Sequence, residues 1–378
     1  MHGCKLFLDP MNANVPNVRA DPARARELIL AYGWNATAYQ ILNPGIEHWF
    51  SRDGDAVIGF VTQARTRVVA GAPVCTAERL PAVVAEFGAS AADAGAHVCY
   101  FGAGSRLESL LVPTGHWSVA SLGAQPSWNP AGWPEIVARR ASLRAQLNRA
   151  RNKHVGVSEW DAKRGGTDPD VRRCLGEWLS DRRLPALHFL VEPETLGRLE
   201  DRRLFVAERD GAVVGFLLAS PIPARDGWLV EQIIRGHAAP NGTAELLLDA
   251  AMRAVAANGA RYVTLGLSPL SLHSRFESHR MPRWLRLVLR WVRAHGRRFY
   301  NFEGLDRFKA KFAPDEWEEI VALSDTAHFS PRALWAIAAA FAQGSPLVLV
   351  ARAVTRAAKQ EARWLGRRAQ RHSKASTA

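Results

Sequence analysis

Trp228-Leu-Val-Glu-Gln-Ile-Ile-Arg235, then Gly236-His-Ala-Ala-Pro-Asn-Gly242, then Thr243-Ala-Glu-Leu-Leu-Leu-Asp-Ala-Ala-Met252 read as a strand, a loop and a helix in one run. Aromatic and β-branched residues favour the strand, Pro240-Asn241-Gly242 the turn, and the Leu/Ala series the helix. The helix is expected to continue to Asn258, with Gly259 ending it, and Tyr262 to Leu267 forms the next strand. Strand, helix and strand in that order make a parallel crossover, which is right-handed in nearly all sheets. The free N–H groups at the start of such a helix can receive an anion or a developing oxyanion, although Pro240 removes one donor.

The elements before this run fit the same sheet. Leu204 to Glu208 and Val213 to Ser220 read as strands around the turn Arg209-Asp210-Gly211. The same order is found about 155 residues earlier. There Asp21 caps a helix over 21–33, and Trp49 to Arg52 and Ala56 to Gln63 flank Asp53-Gly54-Asp55. Thr66 to Ala70 is a strand, Gly71-Ala72-Pro73 a loop, Pro81 to Ala94 a helix and His97 to Phe101 a strand. The copies share architecture and no close identity. The reading is an α/β fold with a mixed sheet and two similar units: residues 20–135 and 156–325, joined by a basic linker helix at 136–155 and followed by basic amphipathic helices at 326–378.

The chain has 378 residues and a net charge of +13. Residues 136–164 carry a net +6, 275–311 a net +8 and 326–378 a net +8, so the remainder is −9. A mildly acidic body with three basic segments fits polyanion partners, nucleic acid or anionic lipid. The four cysteines lack metal or disulfide spacing, and no metal or other cofactor is expected. Met1 to Pro16 has no apolar run, so no signal peptide is read there and a cytoplasmic location is expected.

Within the linker, Leu143, Leu147 and Ala150 share one helical face and Arg144, Arg151 and, less closely, Asn148 another. Arg283, Arg286, Arg290, Arg293 and Arg297 recur at three- and four-residue steps. Trp284, Val288 and Trp291 occupy a different face of that helix. Two readings stay open: an interfacial helix on an anionic membrane, or a surface helix docked by its apolar face with the arginines solvated. Ala333 to Ala351 has no charge, but Gly344-Ser345-Pro346 interrupts it, so a surface-associated or core-docked helix pair is preferred to a membrane span. A further helix carries Arg352, Arg356, Lys359, Arg363 and Arg367.

The loop after Arg235 lies where GNAT-type acyltransferases hold the acyl-CoA pyrophosphate, yet Arg235-Gly-His-Ala-Ala-Pro240 lacks their Gly-rich pattern. A different activated acyl donor is expected. Arg235 with Ala239-Pro240-Asn241-Gly242 and Glu245-Leu246-Leu247 resembles the phosphatidylglycerol lysyltransferase family. Tyr300-Asn-Phe-Glu-Gly-Leu305, Phe308-Lys309-Ala310-Lys311-Phe312 and Pro314-Asp-Glu-Trp-Glu318 resemble it too, as do Ser142-Leu143-Arg144 and Leu147-Asn148-Arg149-Ala150. The resemblance covers roughly residues 20–325.

The resemblance implies tandem GNAT-like acyltransferase domains that move an aminoacyl group from aminoacyl-tRNA to a lipid hydroxyl, usually of phosphatidylglycerol. It also implies work at an anionic phospholipid surface, on the inner face of the cell membrane. The best-known members carry a multi-helix flippase ahead of this part; residues 1–20 contain no span, so a stand-alone catalytic unit is expected. Bacterial synthases of the family have Asp-x-x-Arg at the strand end, where this chain has Gln232-Ile-Ile-Arg235. Glu231 is adjacent to Gln232, on the opposite face of a regular strand, and a bulge is what would bring it to the Arg235 side.

Ester exchange needs a cation or N–H donors for the carbonyl oxygen, a proton acceptor for the hydroxyl and acidic groups for the aminoacyl ammonium. Arg235, Glu231, Gln232, Lys309 and Lys311 are the catalytic candidates, the two lysines sharing a face if extended. Asn241, Gly242, Thr243, Glu245 and Asp249 are candidate substrate contacts. Arg144, Arg149, Arg151, Arg286, Arg290 and Arg293 are candidate contacts to tRNA or lipid phosphate. The first unit has no comparable acidic and basic set and is read as structural. Trp117, Trp128 and Trp133 are read as core rather than stacking platforms. Two other functions remain open: transfer from acyl-CoA, and lipid or RNA binding without catalysis.

Overall fold

The computed structural model describes residues 18–19, 21–181, 187–274, 281–295 and 301–348. The first half runs β1 (Val18–Arg19), α1 (Pro22–Tyr32), β2 (Glu47–Phe50), β3 (Val57–Gln63), β4 (Thr66–Ala70), α2 (Leu80–Asp93), β5 (His97–Ala103), α3 (Ser105–Leu111) and β6 (Ser118–Trp128). Two helices connect it onward, α4 (Trp133–Arg139) and α5 (Ala141–Arg151). The second half has β7 (Val155–Trp160), α6 (Ala162–Thr167), α7 (Pro169–Asp181), β8 (Arg203–Arg209), β9 (Ala212–Ile222), β10 (Gly227–Arg235), α8 (Thr243–Ala257), β11 (Tyr262–Thr264) and β12 (Ser268–Pro269). It ends with α9 (Arg283–His295), α10 (Phe302–Ala310), β13 (Glu316–Ser324) and α11 (Pro331–Ala342).

Local chemistry sets these boundaries. The Asp21 carboxylate accepts from the Arg24 N–H at 3.0 Å, and Pro22 opens α1 without wasting a donor. The β8–β9 hairpin turns on Asp210 and Gly211, both at positive φ, which matches the twist of the flanking strands. Ala64 and Arg65 do the same between β3 and β4.

The described strands form one sheet in the order β1-β2-β3-β4-β5-β13-β6-β11-β10-β9-β8-β7, with β12 also on β6. Each half contributes one parallel pair, β4 with β5 across α2 and β10 with β11 across α8; the other pairs are antiparallel. The last strands of the two halves are exchanged. β13 lies between β5 and β6, and β6 passes on to pair with β11.

Helices cover both faces. Around β8 to β10, Phe205, Leu217, Ala219 and Val230 face α4, α5 and α8, while Leu204, Val206, Phe216, Leu218 and Ile234 face α7. Leu143, Leu147 and Ala150 of α5 are buried as their spacing predicts. Trp128 and Trp133 are core residues, the latter donating its indole N–H to Asp249 at 2.9 Å. In the first half, Leu190 lies 3.7 Å from the Cβ direction of Gly102, beside Gly71, with Phe189 buried nearby. Second-half residues therefore fill the end of the β4–β5 pair.

The uncharged segment is cut where Gly344-Ser345-Pro346 cuts it. α11 ends at Ala342, with Gln343 and Gly344 at positive φ, and its buried residues pack on the first-half core with α1 and α9. No helix among the described residues is long and apolar enough to cross a membrane. Arg297 and the run Arg352, Arg356, Lys359, Arg363 and Arg367 lie outside the described residues.

Candidate active site

β10 and β11 pair only over Gly227–Leu229 and Tyr262–Thr264. Beyond Leu229, β10 keeps β9 as its partner and departs from β11, leaving a gap between two parallel strands. The departure coincides with a β-bulge. Val230 faces Ala219 and Gln232 faces Leu218, so Glu231 is the extra residue.

Residues four apart on a regular strand share a face, so Glu231 needs no bulge to lie on the Arg235 side, and the bulge that is present breaks that alternation instead. Gln232 and Ile234 share the α7 face, whereas Val230, Ile233 and Arg235 share the α8 face. Glu231 makes a bidentate pair with Arg202 at 2.7 and 3.2 Å. The two side chains are 9% and 3% exposed. Gln232 accepts from the Thr195 hydroxyl at 2.9 Å, and its amide donates toward the Glu192 and Pro193 carbonyls at 3.5 and 3.4 Å. A carboxylate cannot donate, so glutamine suits this position better than aspartate would. Arg202 also lies over the Tyr39 ring at 4.9 Å, and Tyr39 donates to Asp201 at 2.9 Å, which Arg26 of α1 holds at 2.5 Å. The first half thus braces the bulge.

The other side of the gap belongs to α10. Lys309 and Lys311 are not on an extended strand: the Asn301 side chain accepts from Gly304 N–H at 2.9 Å and starts a helix that carries Lys309, with Lys311 at its C-cap. Phe308 and Phe312 meet edge to face at 5.2 Å and anchor it to the core. Lys309 is 4% exposed and donates to the carbonyls of Gly266 and Leu267 at 2.8 and 3.0 Å. Gly266 stands at φ +69°, its Cβ direction 3.2 Å from Leu229 of β10. Burial lowers the Lys309 pKa from 10.5 to about 7, although Asp306 pulls it upward. A neutral amine has two hydrogens and one lone pair. The two carbonyls can take the hydrogens and leave the lone pair as a base.

Lys311 reaches across to Glu245 in the first turn of α8 at 2.6 Å. These two candidates, 66 residues apart, are brought together. Asp249 is a structural hub: it accepts from Trp133 at 2.9 Å, from Arg151 at 3.1 Å and from Arg253 at 3.0 Å. Gly242 and Thr243 are buried. Gly242 stands at φ +97°, and a Cβ there would meet the Gln146 carbonyl of α5 at 2.2 Å. The Thr243 hydroxyl donates back to Pro240 at 2.7 Å. These residues shape the α8 start rather than leaving it open, and Asn241 is exposed beside them.

Arg235 and Arg149 are exposed and have no hydrogen-bond or ion-pair partner among the described residues. Arg144 donates to the carbonyls of Val137 and Ala138. Arg286 and Arg293 are half-buried and Arg290 exposed on α9. Sequence reasoning missed Arg202, Thr195 and Asp306. Asp306 is buried, accepting from Leu272 N–H at 3.1 Å with one oxygen, and the other has no hydrogen-bond partner among the described residues. Its position one turn before Lys309 was the only available signal.

Residues 26–322 match the model of the family described as phosphatidylglycerol lysyltransferase, C-terminal. The chain belongs to this family. It is 24% identical over 303 residues to the phosphatidylglycerol lysyltransferase of Bacillus subtilis, covering 79% of this chain and 34% of that protein. It thus spans about a third of that curated relative. Two solved structures share its fold. One is the C-terminal domain of a putative lysylphosphatidylglycerol synthetase from Agrobacterium fabrum, with TM-score 0.72, 21% identity and coverage of 85% of this chain and 97% of that one. The other is L-PGS from Bacillus licheniformis, with TM-score 0.69, 20% identity and coverage of 89% and 96%.

Proposed function

We propose that this member of the family transfers an aminoacyl group from aminoacyl-tRNA to a hydroxyl of a membrane lipid such as phosphatidylglycerol, at the inner face of the membrane. The observation that carries the reading is Lys309, a buried amine with a pKa lowered to about 7, held at the gap between β10 and β11. Neutral Lys309 takes the proton of the lipid hydroxyl as its oxygen attacks the ester carbonyl. The tetrahedral intermediate then expels the ribose hydroxyl of the tRNA, which recovers the proton from the Lys309 ammonium. No proton is gained or lost overall, and one ester replaces another.

Arg235 lies on the α8 face, the side that also carries α5. With Arg149 it offers free guanidiniums to the tRNA 3′ phosphates, with Arg144 and Arg151 alongside. The Glu245–Lys311 pair lies between α8 and α10, and one of its members can exchange partners with the aminoacyl ammonium or a phosphate. Charged tRNA carrying labelled amino acids, incubated with the protein and phosphatidylglycerol vesicles, should yield labelled lipid, and RNase pretreatment should abolish it. Arg235→Ala should lower transfer at least tenfold and leave vesicle binding unchanged. Transfer that survives RNase and requires an acyl-CoA would replace this reading, and vesicle binding without transfer from either donor would refute it.

A further inference from the structure

α9 is joined at both ends to site-bearing chain: it follows the Gly266–Leu267 carbonyls and precedes the helix carrying Lys309. It docks on the first-half core through Leu285 and Leu289, with Met281 just before it. That leaves a second apolar face outside. Trp284, Leu287, Val288 and Trp291, at steps of three, one and three residues, are 37%, 66%, 40% and 63% exposed. Arg283 and Arg290 are exposed with them. The helix has four arginines and no acidic residue. A helix that only docked to its own protein would present polar residues on its outer side.

We propose that the outer face of α9 lies in the headgroup region of an anionic lipid bilayer, with the Trp284–Trp291 stripe at acyl-chain level and Arg283 and Arg290 at the phosphates. The assignment rests on the lipid as acceptor for its purpose, since it would hold the β10–β11 gap at the surface where the acceptor hydroxyls are, but its test does not depend on transfer. Two observations choose the bilayer over other occupants. Tryptophan beside arginine is the pairing that suits an apolar layer bordered by phosphate. The 349–378 segment has eight basic residues and one acidic, so it offers the arginines of α9 no complementary charge. Leu272, 71% exposed and tied through its N–H to Asp306 of α10, offers a further apolar contact beside the site.

The experiment compares the whole protein with Leu287→Glu/Trp291→Glu, both changes at exposed positions, after equal melting temperatures confirm the fold. Co-sedimentation is measured with vesicles of phosphatidylglycerol and phosphatidylcholine, and transfer is measured both on those vesicles and on short-chain phosphatidylglycerol below its micelle concentration. The variant should bind vesicles at least tenfold more weakly and lose vesicle transfer by a similar factor, while transfer to the dispersed lipid is unchanged. If no lipid is labelled by either protein but the binding difference stands, the catalytic reading fails and the docking surface survives. Equal vesicle binding by the two proteins would overturn the proposal. So would a wild-type dimer that the variant lacks, because the stripe would then be an interface between copies. If the variant lost tRNA binding and not vesicle binding, that too would overturn it.

Discussion

Replacing Lys309 by methionine should cut transfer by about 100- to 10,000-fold, the range of a lost general base. The same replacement should remove the acidic limb of the pH profile. Wild-type rate should rise about tenfold per pH unit below about 7, where the amine is protonated, and level off above it. A residual rate in Lys309→Met with the wild-type pH profile would remove Lys309 from the chemistry. Stability supplies an independent readout. Folded Lys309 loses its proton near 7 and the unfolded side chain near 10.5, so between those values the unfolded chain holds more protons. Raising pH through that window therefore favours the folded state, and below about 7 the full cost of the buried charge is present. A tenfold change in proton affinity is worth about 1.4 kcal/mol, so the effect reaches a few kcal/mol. The stability difference between wild type and Lys309→Met should move in favour of wild type from pH 7 to 10; a constant difference would show that the folded amine keeps an ordinary pKa.

Replacing Arg202 by alanine should produce the largest loss of stability from a single side chain near the site. It strands Glu231 as a buried carboxylate without its partner, which costs about 3–5 kcal/mol in such pairs. Melting should fall by several degrees, and transfer should fall with it as the bulge loses its brace. Arg202→Ala/Glu231→Gln should recover part of the stability, because the amide has no charge to leave unpaired. A single variant that melts like the wild type, or a double variant no more stable than the single, would mean that the pair does not hold the bulge.

Much of the fold was legible because it is written locally. The helix read over 243–258 is Thr243–Ala257, and the strand read over 66–70 is Thr66–Ala70. β6 was not legible. Its sequence, Ser-Val-Ala-Ser-Leu-Gly-Ala-Gln-Pro-Ser-Trp, contains glycine, proline and four small polar or amide residues, and burial on both faces removes the alternation that marks a strand. Its neighbour β13 comes from the far end of the chain. For the site, chemistry was legible and partnership was not. Glu231, Glu245 and Asp249 are acidic residues near the crossover in sequence, but their cations are Arg202, Lys311 and the Arg151–Arg253 couple, three of them on other elements. Phe-Lys-Ala-Lys-Phe alternates like an edge strand; the Asn301 cap and the Phe308–Phe312 contact make it the end of a helix.

The exchanged strands set an order of events during synthesis. The slot between β5 and β6 is filled by β13, which begins about 190 residues after β6 ends. At roughly 5–20 residues per second, a ribosome needs roughly 10–40 s to supply it. Throughout that interval the nascent first half has two strand edges with unmet backbone groups, the kind of surface that recruits chaperones or neighbouring chains. A chain stopped before residue 316 could not join β5 to β6. Premature termination anywhere upstream should therefore yield aggregate or degraded chain rather than a working fragment.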